Sequence, residues 1–262
     1  MATYANAVHP LVKVVDGLVL GGYFGSGVPL EVGQAVLNPA DRQSRDLILG
    51  SGRHLLRDDL DVPVMVVNSE SEAISYFGAR QPDSEGFRFW EVAGASHAAV
   101  PEIRSMAQRS QRDMAFTYMA PDGLNPVSPI PVVDAAFIRM RSWTTDGNAP
   151  PRQPRIEIAG DPPEVLRDDD GIARGGLRLP QVVAPIGSTL FSPEEMLGVY
   201  RPFSKEDLLR RYGDRARFLA KFEGAVTAAV STGVLRPHDG RMLVAEAESG
   251  WDEAVGDGGK PA

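Results

Sequence analysis

Three side chains in this sequence, Glu70, Glu72 and His97, have the types and the spacing that proton transfer needs. Both glutamates follow the apolar run "VPVMVVN", residues 62–68, in the stretch "SESEA". The histidine follows the next apolar run, "FRFWEVAG", residues 87–94, inside "WEVAGASHAAVP". A carboxylate bonded to the Nδ1–H of an imidazole fixes the tautomer. It also stabilises the imidazolium formed when Nε2 takes a proton. A pair so arranged can activate a hydroxyl for acyl transfer.

The same stretch offers a competing nucleophile. Gly94-Ala95-Ser96-His97-Ala98 is one small-residue swap from the G-x-S-x-G elbow of serine hydrolases. An elbow serine at Ser96 would need its base later in the chain, and only His238 follows, with no strand-like run before it. Ser96 is therefore read, with Gly94, Ala95 and Ala98, as small backbone that turns tightly and aims His97 outward. His54 and His238 lie in polar surroundings and read as surface residues, while His9 sits at a helix end before Pro10. "GGYFGSG", residues 21–27, and "GSGRH", residues 50–54, lack phosphate-loop spacing and read as turns; Ser26 fails the elbow pattern too.

The elements that must position these groups are two strands. The runs at 62–68 and 87–94 are continuous, rich in β-branched or aromatic residues and without polar alternation. That pattern belongs to central strands of a parallel sheet covered on both faces. In open parallel sheets, reactive groups gather beyond the carboxyl ends of the strands. The 25-residue step from Glu72 to His97 leaves room for one strand and one helix. A further buried strand is expected over Val14 to Leu20, after a helix that Pro10 should stop. "DRQSRDLILGSGRHLL" reads as a short helix and "EIRSMAQRSQRDMAF" as a polar one. Residues 131–147 read as an amphipathic helix with Val132, Ala136, Ile138, Met140 and Trp143 inward and Gly147 as its cap. "APPRQPR" reads as a linker, and residues 155–200 as strands and loops. Ser204-x-x-Asp207 opens two further helices, and the acidic, Gly-rich end reads as disordered.

Composition narrows the function classes. The 262 residues carry a net charge of −8 with acids and bases mixed, and no basic stripe supports nucleic-acid binding. No apolar run approaches the roughly 18 residues of a membrane span, and no secretory leader is visible, so the cytoplasm is the default expectation. With no cysteine, disulfides, thiolate metal sites and a cysteine nucleophile are excluded; the four histidines form no metal-ligand pair. No cofactor is expected.

The ordered set of segments resembles a known group. "TYANAVHPLVKVVDGLVLGG", "VPVMVVNSESEA", "ARQPDSEGFRFWEVAGASHA", "WTTDGNAPPRQPRIEI", "RDDDGIARGGLRLPQVVAPIG" and "PFSKEDLLRRYGDRARFLAKFEGAVTAAVSTGVLRPHD" cover nearly the whole chain. Together they are similar to the C-terminal part of a bacterial α/β-hydrolase-domain family of large serine-esterase-like proteins. In α/β-hydrolases the order is serine, acid, histidine. Their generic acid lies nine residues after the proline of its strand, and nine after Pro63 is Glu72, with Glu70 the second choice. The resemblance implies a G-x-S-x-S-like elbow immediately before the helix "MATYANAVHP", so nucleophile, oxyanion hole and five earlier strands lie outside these residues and Met1 would be internal to a longer chain.

The expected architecture is α/β. The last three parallel strands of a hydrolase sheet with flanking helices occupy 1–150, a C-terminal extension packs on them over 151–248, and a disordered tail fills 249–262. The expected activity is hydrolysis of a small-molecule carboxylic ester by the complete protein, with this chain inert alone. The alternatives are a split-enzyme or non-enzymatic subunit that pairs its bare sheet edge with another chain, and a binding or lid module. In "ARGGLRLP", Arg174 and Arg178 are candidates for an anionic substrate group, although a structural turn is the stronger reading.

Overall fold

The computed structural model describes residues 2–25, 27, 54–116, 122–191 and 197–256. A π-helical segment, Tyr4–Val8, runs into α1, His9–Val12. The sheet follows: β1, Leu18–Gly21; β2, Val64–Ser69; and β3, Phe87–Val92, in the order β1-β2-β3 with both pairings parallel. A 3₁₀ turn, Glu70–Glu72, and α2, Ala73–Phe77, cross from β2 to β3. Beyond β3 come α3, Val100–Met114, and α4, Ile130–Asp146.

All six residues of β2 and all six of β3 are buried, as continuous apolar runs require of strands covered on both faces. Alternation along each strand divides them between two cores. Leu18, Leu20, Val64, Val66, Phe87 and Phe89 face Ala5 and Tyr76 on one side. Met65, Val67, Trp90 and Val92 face Val132, Ala136, Met140 and Trp143 of α4 on the other.

The second core extends into the C-terminal third. That part contains two short hairpins: β4, Ile158–Ala159, with β5, Glu164–Val165, and β6, Gly187–Leu190, with β7, Val199–Pro202. The helices are α5, Pro180–Val183; α6, Lys205–Tyr212; α7, Arg215–Thr232; and α8, Pro237–Val255. Leu177, Phe218, Leu243 and Trp251 belong to the same apolar cluster as Met65 and Trp90.

The junction is stitched along the free edge of β3. The Leu177 N–H donates to Glu91 O at 2.7 Å, and the Ala93 N–H donates to Leu177 O at 3.0 Å. The buried Glu91 carboxylate accepts from the Ile156 N–H at 2.9 Å and pairs with Arg80 at 2.6 Å. Trp90 Nε1–H donates to Pro151 O, and the buried Arg88 guanidinium donates to Pro150 O. The expected bare edge is therefore covered on the β3 side. Among the described residues no strand pairs with the outer side of β1.

Several expectations are corrected. The first strand begins at Leu18, not Val14, because the chain leaves α1 through a left-handed Lys13 and Val14 is 70% exposed. Pro10 does not stop the helix. Pro10 stands in the first turn of α1, where an N–H would have no acceptor within that helix. Ile138 points outward with Phe137 while Ala135 takes the buried position on α4. His9 is fully buried, with Nε2 3.2 Å from Asp61 Oδ1. Residues 249–255, expected as disordered tail, continue α8, because Trp251 stacks on Phe218 at 4.9 Å and is buried. The helix expected over "DRQSRDLILGSGRHLL" lies mostly outside the described residues, as do Ser26 and 257–262. No described helix is long and apolar enough to cross a membrane.

Candidate functional site

β2 and β3 point the same way, so the segments after them emerge side by side at one rim of the sheet. Three hydrogen bonds tie these segments together. The Glu70 N–H donates to Ala95 O at 3.0 Å, and the Gly94 N–H donates to Glu70 Oε2 at 2.7 Å. The His97 N–H donates to Ser71 Oγ at 2.8 Å. Gly94 takes φ +73°, and a Cβ there would meet Val182 at 2.7 Å, so the tight turn before His97 requires glycine.

On this frame the Glu72 carboxylate is fully buried and held at both ends. Oε2 accepts from the Ser69 N–H and from Ser69 Oγ–H, each at 2.6 Å. Oε1 lies 2.6 Å from His97 Nδ1. An ionised carboxylate only accepts, so Nδ1 carries the proton and the Nε2 lone pair is left for a reactant. The hydrogen bond to Glu72 raises the His97 pKa above its ordinary 6.5, against the lowering effect of burial. The His97 side chain is 41% exposed, and among the described residues its Nε2 makes no hydrogen bond. The arrangement can take up a proton at Nε2 and return it, with the resulting cation balanced across the ring.

The ring of His97 rests on the turn after β1. Gly22 has φ +60°, and a Cβ added there would lie 3.0 Å from His97 Cε1. The Phe24 ring is 5.7 Å away, centroid to centroid. Gly22 therefore seats the imidazole, a role its reading as a plain turn residue did not anticipate.

Glu70 occupies a different environment. It is 2% exposed, its Oε1 lies 2.7 Å from Arg167, and burial raises its pKa in spite of that guanidinium. It makes no hydrogen bond to His97 and instead holds the β3 loop through Gly94. Ser96 is fully buried and committed. Its Oγ–H donates to Leu197 O and accepts from Asn125 Nδ2 at 2.8 Å. Arg174 pairs with Glu157 at 2.7 Å, and Arg178 donates to Ala173 O and Val182 O, so both fasten their own loop.

Sequence reasoning missed four supports of the site besides Gly22. Ser69 carries a legible signal, because Ser69-x-x-Glu72 before an apolar stretch is a capping-box pattern. Ser71 and Arg167 carry none. Nor does Asn125, which is fully buried and joins Gly94 O, Ser96 Oγ, the Val127 N–H and Thr189 Oγ1. Among the described residues no three His, Asp or Glu side chains converge as metal ligands would.

A family model described as an alpha/beta hydrolase domain matches residues 1–245. No curated protein and no solved structure matches the chain.

Proposed function

The chain belongs to the alpha/beta hydrolase domain family, and we propose that it contributes the base and the acid of a serine hydrolase acting on carboxylic esters. The carrying observation is the 2.6 Å contact between His97 Nδ1 and a buried Glu72 whose other oxygen is already saturated by Ser69. Glu72 thus has one task left, to hold His97 in the tautomer that accepts at Nε2.

In this reading a serine attacks the ester carbonyl and His97 Nε2 takes its proton. The imidazolium is balanced by Glu72 and then protonates the leaving alcohol. Water enters the acyl-enzyme by the same route in reverse. Proton transfer of this kind is commonly worth about 10²–10⁴-fold. The nucleophile is assigned to residues beyond these 262, since no G-x-S-x-G or G-x-S-x-S elbow occurs among them and Ser96 Oγ is buried and engaged. Oxyanion stabilisation, worth about 10²–10³-fold, then comes from the same outside segment.

A fluorophosphonate probe tests this on the chain extended by its in-frame upstream coding sequence. Labelling that disappears in His97→Ala supports the reading. An extended chain that carries the elbow yet neither labels nor cleaves a p-nitrophenyl ester sinks it. Among the described residues no strand pairs with the outer side of β1, and this supports one second reading, in which a separate polypeptide supplies the elbow. A stop codon just upstream, beside a neighbouring reading frame with the elbow, would select that version.

A further inference from the structure

The last two residues of β2 both bear on His97, by different routes. Ser69 holds Glu72, and Glu72 meets Nδ1. Asn68, one residue earlier, is fully buried and hydrogen-bonds neither His97 nor Glu72. Its amide is spent on one residue of the turn after β1. The Tyr23 N–H donates to Asn68 Oδ1, and Asn68 Nδ2 donates to Tyr23 O, each at 2.8 Å.

The end of the ladder explains why a side chain is needed there. β1 and β2 pair as far as Gly21 and Val67, and the Gly22 N–H still donates to Val67 O at 3.0 Å. Gly22 then takes φ +60° and the backbone leaves the sheet. Tyr23 is buried, so its N–H and C=O must find partners within the protein. A side-chain amide offers one acceptor and one donor, as a peptide group does, and so stands in for the missing ladder partner. The Tyr23 hydroxyl adds a third tie, donating to His54 O at 2.8 Å.

The turn pinned in this way carries two groups that pack on the imidazole. A Cβ built on Gly22 would lie 3.0 Å from His97 Cε1, and the Phe24 ring centroid is 5.7 Å from that of His97. One hydrogen bond at Nδ1 leaves the ring able to swing about it, because the imidazole torsion is broad. Contact along Cε1 restricts that swing and with it the direction of the Nε2 lone pair.

We propose that Asn68 is a positioning residue: by clamping Tyr23 it holds Gly22 and Phe24 against the His97 ring and sets the direction in which Nε2 accepts a proton. The role rests on the reading of His97 as the base. A reacting group misplaced by about 1 Å can cost about 10²-fold in rate, so a clamp two contacts away matters to the chemistry.

A second clamp of the same build supplies the control. The Leu56 N–H donates to Gln81 Oε1, and Gln81 Nε2 donates to Leu56 O, each at 2.8 Å. Among the described residues neither hydrogen-bonds the turn that seats His97. Proton NMR of the native 262-residue chain should show cross-relaxation from His97 Cε1–H to the Gly22 α-protons and to the Phe24 ring. Asn68→Ala should weaken both several-fold and displace the Cε1–H resonance, while the His97 pKa stays raised because Glu72 is untouched. Gln81→Ala should lower the melting temperature by several degrees, as Asn68→Ala does, and leave both contacts in place. A merely structural Asn68 would behave as Gln81 does. Asn68→Asp keeps the acceptor for the Tyr23 N–H and loses the donor to Tyr23 O; it should weaken the contacts too, and serves if Asn68→Ala does not fold. In the extended chain Asn68→Ala should slow fluorophosphonate labelling by about tenfold or more, and Gln81→Ala should not. Contacts missing from the native chain, which needs no variant to fold, would overturn the proposal. So would contacts or labelling unmoved by an Asn68 variant. An extended chain that carries the elbow and never labels sinks the base reading whatever these contacts do, whereas contacts unmoved by Asn68 variants sink only the role of Asn68.

Discussion

Replacing Glu72 by glutamine separates the part this residue plays at His97 from its part in the fold. In the native chain Glu72 receives the Ser69 N–H and hydroxyl on one oxygen, and His97 Nδ1 with a longer bond from the Ser71 hydroxyl, at 3.4 Å, on the other. A glutamine of the same shape has one acceptor end. If its oxygen stays with the Ser69 N–H, its amide N–H₂ faces His97 Nδ1. The ring must then give up the Nδ1 proton, carry it on Nε2 and lose its basic lone pair there. A wrong tautomer of this kind costs about 10⁴-fold in the serine protease where it has been worked through, and a fall of about 10³–10⁴-fold in kcat is expected for the extended enzyme. Stability should fall by about 1–3 kcal/mol, since hydrogen bonds to a charged group are lost and a neutral set remains. The direct readout requires no nucleophile. Titrating the His97 Cε1–H resonance should show a raised pKa in the native chain and a lower one, toward 6.5, in Glu72→Gln. Glu70→Gln serves as the control: it should leave the His97 titration in place, because Glu70 meets Gly94 and Arg167 instead. A His97 titration unchanged by Glu72→Gln, or shifted equally by Glu70→Gln, refutes the assignment.

Three further outcomes follow from the same geometry. His97 binds its proton more tightly when folded, so its contribution to stability is fully present below its unfolded value near 6.5. That contribution is lost as pH rises through the higher folded value; urea midpoints should fall across this window in the native chain and stay flat in Glu72→Gln, and parallel slopes would contradict the linkage. Gly22→Ala places a Cβ 3.0 Å from His97 Cε1 in a left-handed conformation; a loss of about 1–2 kcal/mol is expected together with a displaced His97 resonance, and an unmoved resonance would remove Gly22 from the site. Asn125→Ala leaves Thr189 Oγ1, Ser96 Oγ and the Val127 N–H without their buried partner; at about 2–4 kcal/mol the melting temperature should drop by several degrees, and a drop within error would show that water replaces the amide.

What could be read from the sequence was whatever depends on local pattern. β2 and β3 are legible because six consecutive buried positions leave no room for polar alternation. α4 is legible because Val132, Ala136, Met140 and Trp143 recur at helical spacing before Gly147. Period alone could not choose between Ala135 and Ile138, which lie at neighbouring angles, and it chose the bulkier one. The end of α8 was hidden by its glycines and acids, although Trp251 was a signal that something there is buried. The proximity of Glu72 to His97 was legible from strand order and loop length. The seat at Gly22, the Asn125 junction and the Arg167 partner of Glu70 were not. Each acts on residues distant in the chain, such as Gly94 for Asn125 and Glu70 for Arg167, and nothing in the neighbouring sequence marks such a role.

The seam along β3 has a consequence for biosynthesis. The residues that close it, Ile156 and Leu177, leave the ribosome some 65 and 85 positions after the strand they protect. At translation speeds of about 5–20 residues per second, β3 waits several seconds with an unsatisfied margin. During that interval the nascent polypeptide is at its stickiest, and holdase chaperones have their natural opening. Synonymous codons that slow elongation between positions 93 and 177 should therefore lower soluble yield, while the finished molecule keeps the same stability.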